Sequence, residues 1–311
     1  MLPRVLIALV LASACKRTAP RGALEVGQIT VSDNGLAATP EIGESAQVIG
    51  KELAQDLEGT GRFVVKQGGP VQMRLEIERA QRTLAPVPVV QPNDTGPVER
   101  EMAVVAVSLE MTSTGPQGDV DRLLAEGEAR RPTGADDSMD PAARHAATDA
   151  ALDAAMLEAV LALRDQIDAR RKTDAQLIAD LDAKDPRVRD YAIRVLADRR
   201  SPAAVPQLIA RLSDPNPDVA RRAAGALISI GDRRAVGPLI ETTHKRRPED
   251  VGPILYAIAS LGGPEAEAYL FTLESGSPDE EIRRAAKGAY ADLLRRKQED
   301  AARVSDGRRS P

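Results

Sequence analysis

The chain has 311 residues, of which 42% are hydrophobic and 29% charged, with a formal net charge of −5. This length accommodates one or two domains with tails. The mild acidity argues against bulk attraction to nucleic acid, which shows as a basic domain or stripe. One cysteine excludes an internal disulfide and any cysteine-rich metal site, and with aromatics at 2% and no Trp the cores must be built from Ala, Leu, Val and Ile.

Residues 1–14 read as an export signal. Arg4 supplies the positive start, and Val5 to Leu11 form an apolar run too short for a bilayer span, which takes about 20 residues. Ala12, Ser13 and Ala14 are small and precede Cys15. Leu11-Ala12-Ser13-Ala14-Cys15 resembles a bacterial lipobox. The resemblance implies cleavage before Cys15 and lipidation of its thiol and new amine. Stable anchoring needs more than one acyl chain, each buried CH₂ contributing about 0.8 kcal/mol. The competing expectation is an ordinary secretory signal with an incidental cysteine. The position of the chain's sole cysteine favours the lipobox. Lys16 rather than Asp follows it, which under the enterobacterial rule favours the outer membrane. The expected location is therefore the periplasmic face of the cell envelope. Residues 15–23 form a tether containing Pro20 and Gly22.

Residues 24–172 carry an α+β pattern. Leu24 to Val31 is a strand, and Glu41 to Leu57 a helix with Ile42, Ala46, Ile49, Leu53 and Leu57 on one face. Gly59-Thr60-Gly61 stops it, and Arg62 to Val65 is a strand. Val71, Met73, Leu75 and Ile77 alternate with polar residues, as do Val105, Val107, Leu109 and Met111. Both stretches read as half-buried strands. A weaker strand covers Asp121 to Ala129. Between the two clear strands, four prolines in residues 84–99 predict a long exposed hairpin loop. Asp140-Pro141 opens a long helix, and Leu152, Met156, Val160, Leu163 and Ile167 give it an apolar face. Two helices on one face of an antiparallel sheet would bury both stripes. The element order is similar to that of small envelope lipoprotein domains, such as the lipopolysaccharide-assembly lipoproteins and the anticodon-like domain of the Tol-Pal β-propeller protein.

From Asp174 the sequence repeats. Leu177, Leu208, Leu239 and Leu270 recur at a constant step of 31 residues, a period that signals a solenoid. In the second unit Val205, Leu208, Ile209 and Leu212 fall on one helical face, Asp214-Pro215-Asn216-Pro217 breaks the chain, and Val219, Ala223, Ala224 and Leu227 form the next stripe. Proline interrupts the first helix, and Gly231 ends the second, as Gly262 does one period later. Asp185-Pro186-Arg187-Val188-Arg189, Asn216-Pro217-Asp218-Val219 and Glu281-Ile282-Arg283 resemble the short HEAT-like repeats of phycocyanobilin lyases and many bacterial scaffold proteins. The resemblance implies stacked helix pairs over residues 173–297, about four repeats. Pro248-Glu249-Asp250-Val251 departs from the pattern by an extra residue and a missing arginine. Residues 298–311 are polar and aperiodic and read as a disordered tail.

No motif carries catalysis. Asp94-Thr95-Gly96 matches the aspartic-protease triplet, but that chemistry needs two such carboxylates and the surrounding residues mark a turn. His145 and His244 lie in different segments without partners for a metal site. Arginines recur through the repeats, and the resemblance implies that second helices line the concave face. Arg189, Arg194, Arg221, Arg222, Arg283 and Arg284 are thus the candidate partner-binding residues. The competing expectation pairs them locally with Asp185, Asp190, Asp218, Glu280 and Glu281.

These readings combine into an α+β domain followed by an all-α solenoid, a lipid-anchored envelope scaffold that binds another protein through its repeats. It is expected to be no enzyme and to need no cofactor, metal, nucleic acid or small-molecule substrate. One alternative makes the α+β domain the active module, regulating an envelope synthase or assembly machine. Others are a lyase-type enzyme and a nucleic-acid binder.

Overall fold

The computed structural model describes residues 22–32, 42–87, 98–114, 119–133 and 141–307. Cys15, Pro20, the triplet at 94–96 and Asp140 lie outside them. The chain divides into two compact units, 1–167 and 168–311.

In the first unit the elements are β1 (Leu24–Val31), α1 (Ala46–Gly59), β2 (Phe63–Val65), β3 (Val71–Val87), β4 (Val98–Thr114), β5 (Val120–Pro132) and α2 (Pro141–Arg171). One five-stranded sheet has the order β2-β1-β3-β4-β5. It is mixed, not antiparallel throughout. β1 runs parallel to both its neighbours, while β3, β4 and β5 are antiparallel. Parallel neighbours need a crossover, and α1 supplies it between β1 and β2. The alternation survives as the core: Met73, Leu75, Leu109 and Met111 from the sheet are buried with Leu53 and Leu57 of α1 and Leu152, Met156 and Leu163 of α2. Each such side chain contributes about 1.5–3 kcal/mol on burial. The opposite face is charged and open, as an antiparallel sheet permits, with Arg122 pairing Glu110 at 2.6 Å.

The hairpin loop is shorter than the prolines suggest. β3 and β4 stay in register to Pro86↔Glu99 and Val87↔Val98. Pro86 is tolerated because β1 pairs with β3 only as far as Leu75, so no second ladder needs its missing N–H.

The second unit is a run of helix pairs: α3 (Asp174–Asp180) with α4 (Pro186–Asp198), α5 (Val205–Arg211) with α6 (Pro217–Ile230), α7 (Val236–Thr243) with α8 (Pro248–Leu261), and α9 (Pro264–Gly276) with α10 (Glu280–Gly307). Polar caps start α3, α4 and α6. Thr173 and Gln176 form a reciprocal capping box on α3, and Asp185 and Asn216 cap α4 and α6 with proline at the first turn. The third helix pair has Arg247 in that place before α8, with no side-chain cap. Gly231 closes α6 in the left-handed conformation, φ 75°. The four lead leucines are all fully buried in one core with Leu196, Leu227, Leu255 and Ile258. The stretch read as a disordered tail instead continues α10 to Gly307. Its polar composition suits a helix exposed on most sides.

Candidate functional site

The arginine row resolves into three kinds of place. Arg189, at the start of α4, is buried. Its Nη1 donates to the carbonyls of Ala183 and Lys184 at 2.7 and 3.0 Å, and its Nη2 to Asp214 Oδ1 at 2.8 Å. Arg283 repeats the device in the last pair, donating to the carbonyls of Ser277 and Pro278. These two guanidinium groups close the turn before their own helix, so they are corrected from partner-binding candidates to fastenings of the repeat. Their positions match, both being four residues past the cap, which is why one geometry recurs.

Arg194 and Arg222 come from successive second helices and converge on one carboxylate. Arg194 Nε lies 2.8 Å from Asp190 Oδ2, and Arg222 pairs with the other oxygen of Asp190. Two cations share one anion there, so positive charge is left over at the junction of two repeats. Arg221 and Arg284 are the open members, with side chains 79% and 76% exposed. Among the described residues each is held by a carboxylate of its own helix, Asp218 at 2.7 Å and Glu280 at 3.2 Å. Exposed pairs of this kind contribute about 0–1 kcal/mol and separate easily.

Two carboxylates in the turns before α4 and α6 are held low by their partners. The backbone N–H of Arg187, followed by its side chain, holds the Asp185 carboxyl below its usual range. Burial pushes Asp214 up, but the Arg189 hydrogen bond, the Asn216 N–H and the charges of Arg189 and Arg211 together outweigh it and bring it down.

A second cluster lies in the α+β unit and is acidic. Glu44 precedes α1, Glu52 and Asp56 lie on α1, and Asp149 and Asp153 lie on α2. Oxygens of Glu44, Glu52 and Asp153 come within 4.8 Å of one another. Glu44 is pushed up to about 7 by burial, then by the charge of Glu52 and a hydrogen bond with it, then by Asp153 and Asp149. Burial and Glu52 likewise raise Asp56 and Asp153. Two carboxylates within hydrogen-bonding reach cannot both stay ionised without a proton or cation between them. These three residues are the ones whose oxygens could hold a cation. Asp149 has a different role, accepting the Gly43 N–H at 2.9 Å. Sequence reading missed this cluster, though a signal was present. Glu52 and Asp56 are four apart, as are Asp149 and Asp153, so each pair shares a helix face.

His145 lies in the first turns of α2 beside a small basic hollow with Arg82 and Arg144. His244 caps the end of α7 and meets Tyr269 edge-on at 6.2 Å. The two histidines are not brought together.

Residues 175–252 match the family of HEAT repeats. Over 90 residues the chain is 37% identical to the bilin biosynthesis protein PecE of Mastigocladus laminosus, covering 27% of this chain and 33% of that one. The chain thus spans about a third of the length of this curated relative. That similarity corrects the expectation of a chain without enzymatic function: a repeat block of this kind serves in a biosynthetic pathway, so the lack of a catalytic motif does not make the protein a bare scaffold. Among solved structures, the hypothetical protein CT253 from Chlamydia trachomatis is similar at 8% identity and a TM-score of 0.28, over 42% of this chain and 91% of that one. Protein XCC0632 from Xanthomonas campestris is similar at 14% identity and a TM-score of 0.30, over 51% and 90%. Both likenesses are too slight to bear on fold or function. The helix pairs, their buried leucines and the match over 175–252 together establish that the chain carries a block of HEAT-like repeats.

Proposed function

We propose that the protein is an exported lipoprotein whose HEAT-like repeats bind a protein partner at the cell envelope. The observation that carries the binding role is the convergence of Arg194 and Arg222 on Asp190, beside the open Arg221. Rigid helix pairs hold these cations at fixed spacing, and stacked repeats of this type commonly offer extended binding surfaces. A partner with an acidic surface would complement them. The anchor is supported by Leu11-Ala12-Ser13-Ala14-Cys15. Among the described residues no helix is long and apolar enough to cross a membrane, so attachment would rest on the lipid. The test combines intact mass and membrane fractionation of wild type and Cys15→Ala with partner capture by a chain lacking residues 174–311. An acylated, membrane-bound wild type, a soluble variant and capture lost on truncation support the reading. Two soluble, unprocessed proteins overturn the anchor, and capture that survives truncation moves binding to the α+β unit.

A second reading is favoured by the similarity to a bilin biosynthesis protein: the repeats serve an enzyme acting on a tetrapyrrole. Absorbance titration of the full chain with a bilin tests it. A saturable spectral shift supports it, and an unshifted spectrum removes it.

A further inference from the structure

The last two repeats border a half-open hollow of about 390 Å³ that the arginine row does not reach. Its size falls within the range of small-molecule sites, which runs from about 300 to 1,000 Å³. It is lined by the end of α8, the start of α9, the short turn before α7 and the middle of α10. Leu261 and Leu293 make one side apolar, and Arg233, Arg296 and Lys297 bring positive charge.

Two of these cations lack the carboxylate that most of the repeat arginines pair with, as Arg200 also does. Arg189, Arg194, Arg199, Arg211, Arg221, Arg222, Arg234 and Arg295 each pair with a carboxylate. Among the described residues, the side chain of neither Arg233 nor Arg296 has a hydrogen-bond or ion-pair partner. Both line the same cavity. Glu267 also faces it but is engaged by Lys297 at 2.8 Å, so its charge is offset locally. Asp300 is the remaining carboxylate on the lining. The start of α9 adds little to the positive field: its cap, Gly263, has no side chain, but Glu265 and Glu267 already stand in its first turn.

We propose that this cavity binds a small organic anion, one with an apolar body against Leu261 and Leu293 and a single phosphate or carboxylate head between Arg233 and Arg296. The planar guanidinium forks suit either head. This assigns the last repeats a ligand-binding role separate from the protein-binding face, and it departs from the expectation of no small-molecule ligand.

The test is amide chemical-shift titration of the full chain with phenyl phosphate, benzoate and inorganic phosphate. Saturable shifts confined to residues 259–267 and 293–297 support the site. The head-group preference is read from phenyl phosphate against benzoate, and the apolar contribution from phenyl phosphate against inorganic phosphate. Arg233→Gln with Arg296→Gln should weaken binding at least tenfold, whereas Arg221→Gln should leave it unchanged. Both replaced side chains are exposed, and an unchanged amide spectrum without ligand confirms the fold. Arg233→Lys serves as the milder variant and should weaken binding by less. Shifts scattered over all the exposed arginines, or equal binding by the double variant, overturn the proposal.

Discussion

Arg189 and Asp214 are 25 residues apart and belong to successive repeats, yet their side chains meet at 2.8 Å with only 8% and 0% of their surface exposed. The pair links the turn before α4 to the turn before α6. Asp214 in turn accepts the Asn216 N–H at 3.0 Å, so one carboxylate fastens two repeats and starts the next helix.

Removing one partner leaves the other charge buried. Arg189→Met should therefore destabilise the repeat unit by about 3–5 kcal/mol. Arg221→Ala, which breaks only an exposed pair, should cost about 0–1 kcal/mol. Urea unfolding of both variants checks this. Adding Asp214→Leu to Arg189→Met should recover part of the loss, because the buried carboxylate, left with only Arg211 at 3.6 Å, is gone.

The acidic cluster makes the α+β unit sensitive to pH. Glu44 holds its proton up to about pH 7, whereas the unfolded chain releases it near 4.5. Between these values the folded state binds more protons. Stability therefore falls as pH rises through this window, and the penalty is complete above it. Glu44→Gln should flatten the decline between pH 5 and pH 8, by about 1 kcal/mol once solvent screening of the partly exposed groups is allowed for. Asp185 and Asp214, held low, act with the opposite sign: their stabilisation is present above the unfolded value and is lost as pH falls through the folded one. Thermal unfolding of wild type and variant across pH measures both.

Gly127 permits the close approach of α2 to β5. A Cβ there would lie 2.0 Å from the Ala155 carbonyl oxygen, and backbone cannot swing aside as a side chain can. Gly127→Ala should push the helix off the sheet and cost about 1–3 kcal/mol or more. Gly225, within α6, has nothing within 4 Å of its added Cβ, so Gly225→Ala should stabilise by about 0.4–1 kcal/mol. Chemical denaturation of the pair separates close packing from helix propensity.

Asn216 caps α6 by accepting from the N–H groups of Asp218 and Val219 at 2.9 and 3.2 Å. Asn216→Ala should cost about 1 kcal/mol. Hydrogen exchange should then quicken first at those two amides.

Much of the repeat block is legible residue by residue. Leu177, Leu208, Leu239 and Leu270 mark the inner face because a stacked helix pair has one buried stripe, and all four are fully buried. The caps at Asp185 and Asn216 and the glycine stop at Gly231 are local chemistry. Residues 298–307 of the polar tail are helical, because polar composition does not stop a helix already nucleated against a core. The loop from residue 84 was overestimated for a related reason: a proline breaks a strand only where a neighbour needs its N–H. The arginine row was legible as a row but not in its roles, because spacing does not tell a buried guanidinium from an exposed one.

The sequence by itself determined the period, the caps at Asp185 and Asn216, the stop at Gly231 and the alternation of the strands, since these depend on residues near one another along the chain. Only the tertiary structure decided that β1 runs parallel to its neighbours, that Arg189 finds Asp214, that Glu44, Glu52 and Asp153 crowd together, and that Arg233 and Arg296 line one cavity. Each of these joins residues well separated along the chain. Their meeting is set by how helices and strands pack, and local propensity does not encode that distance.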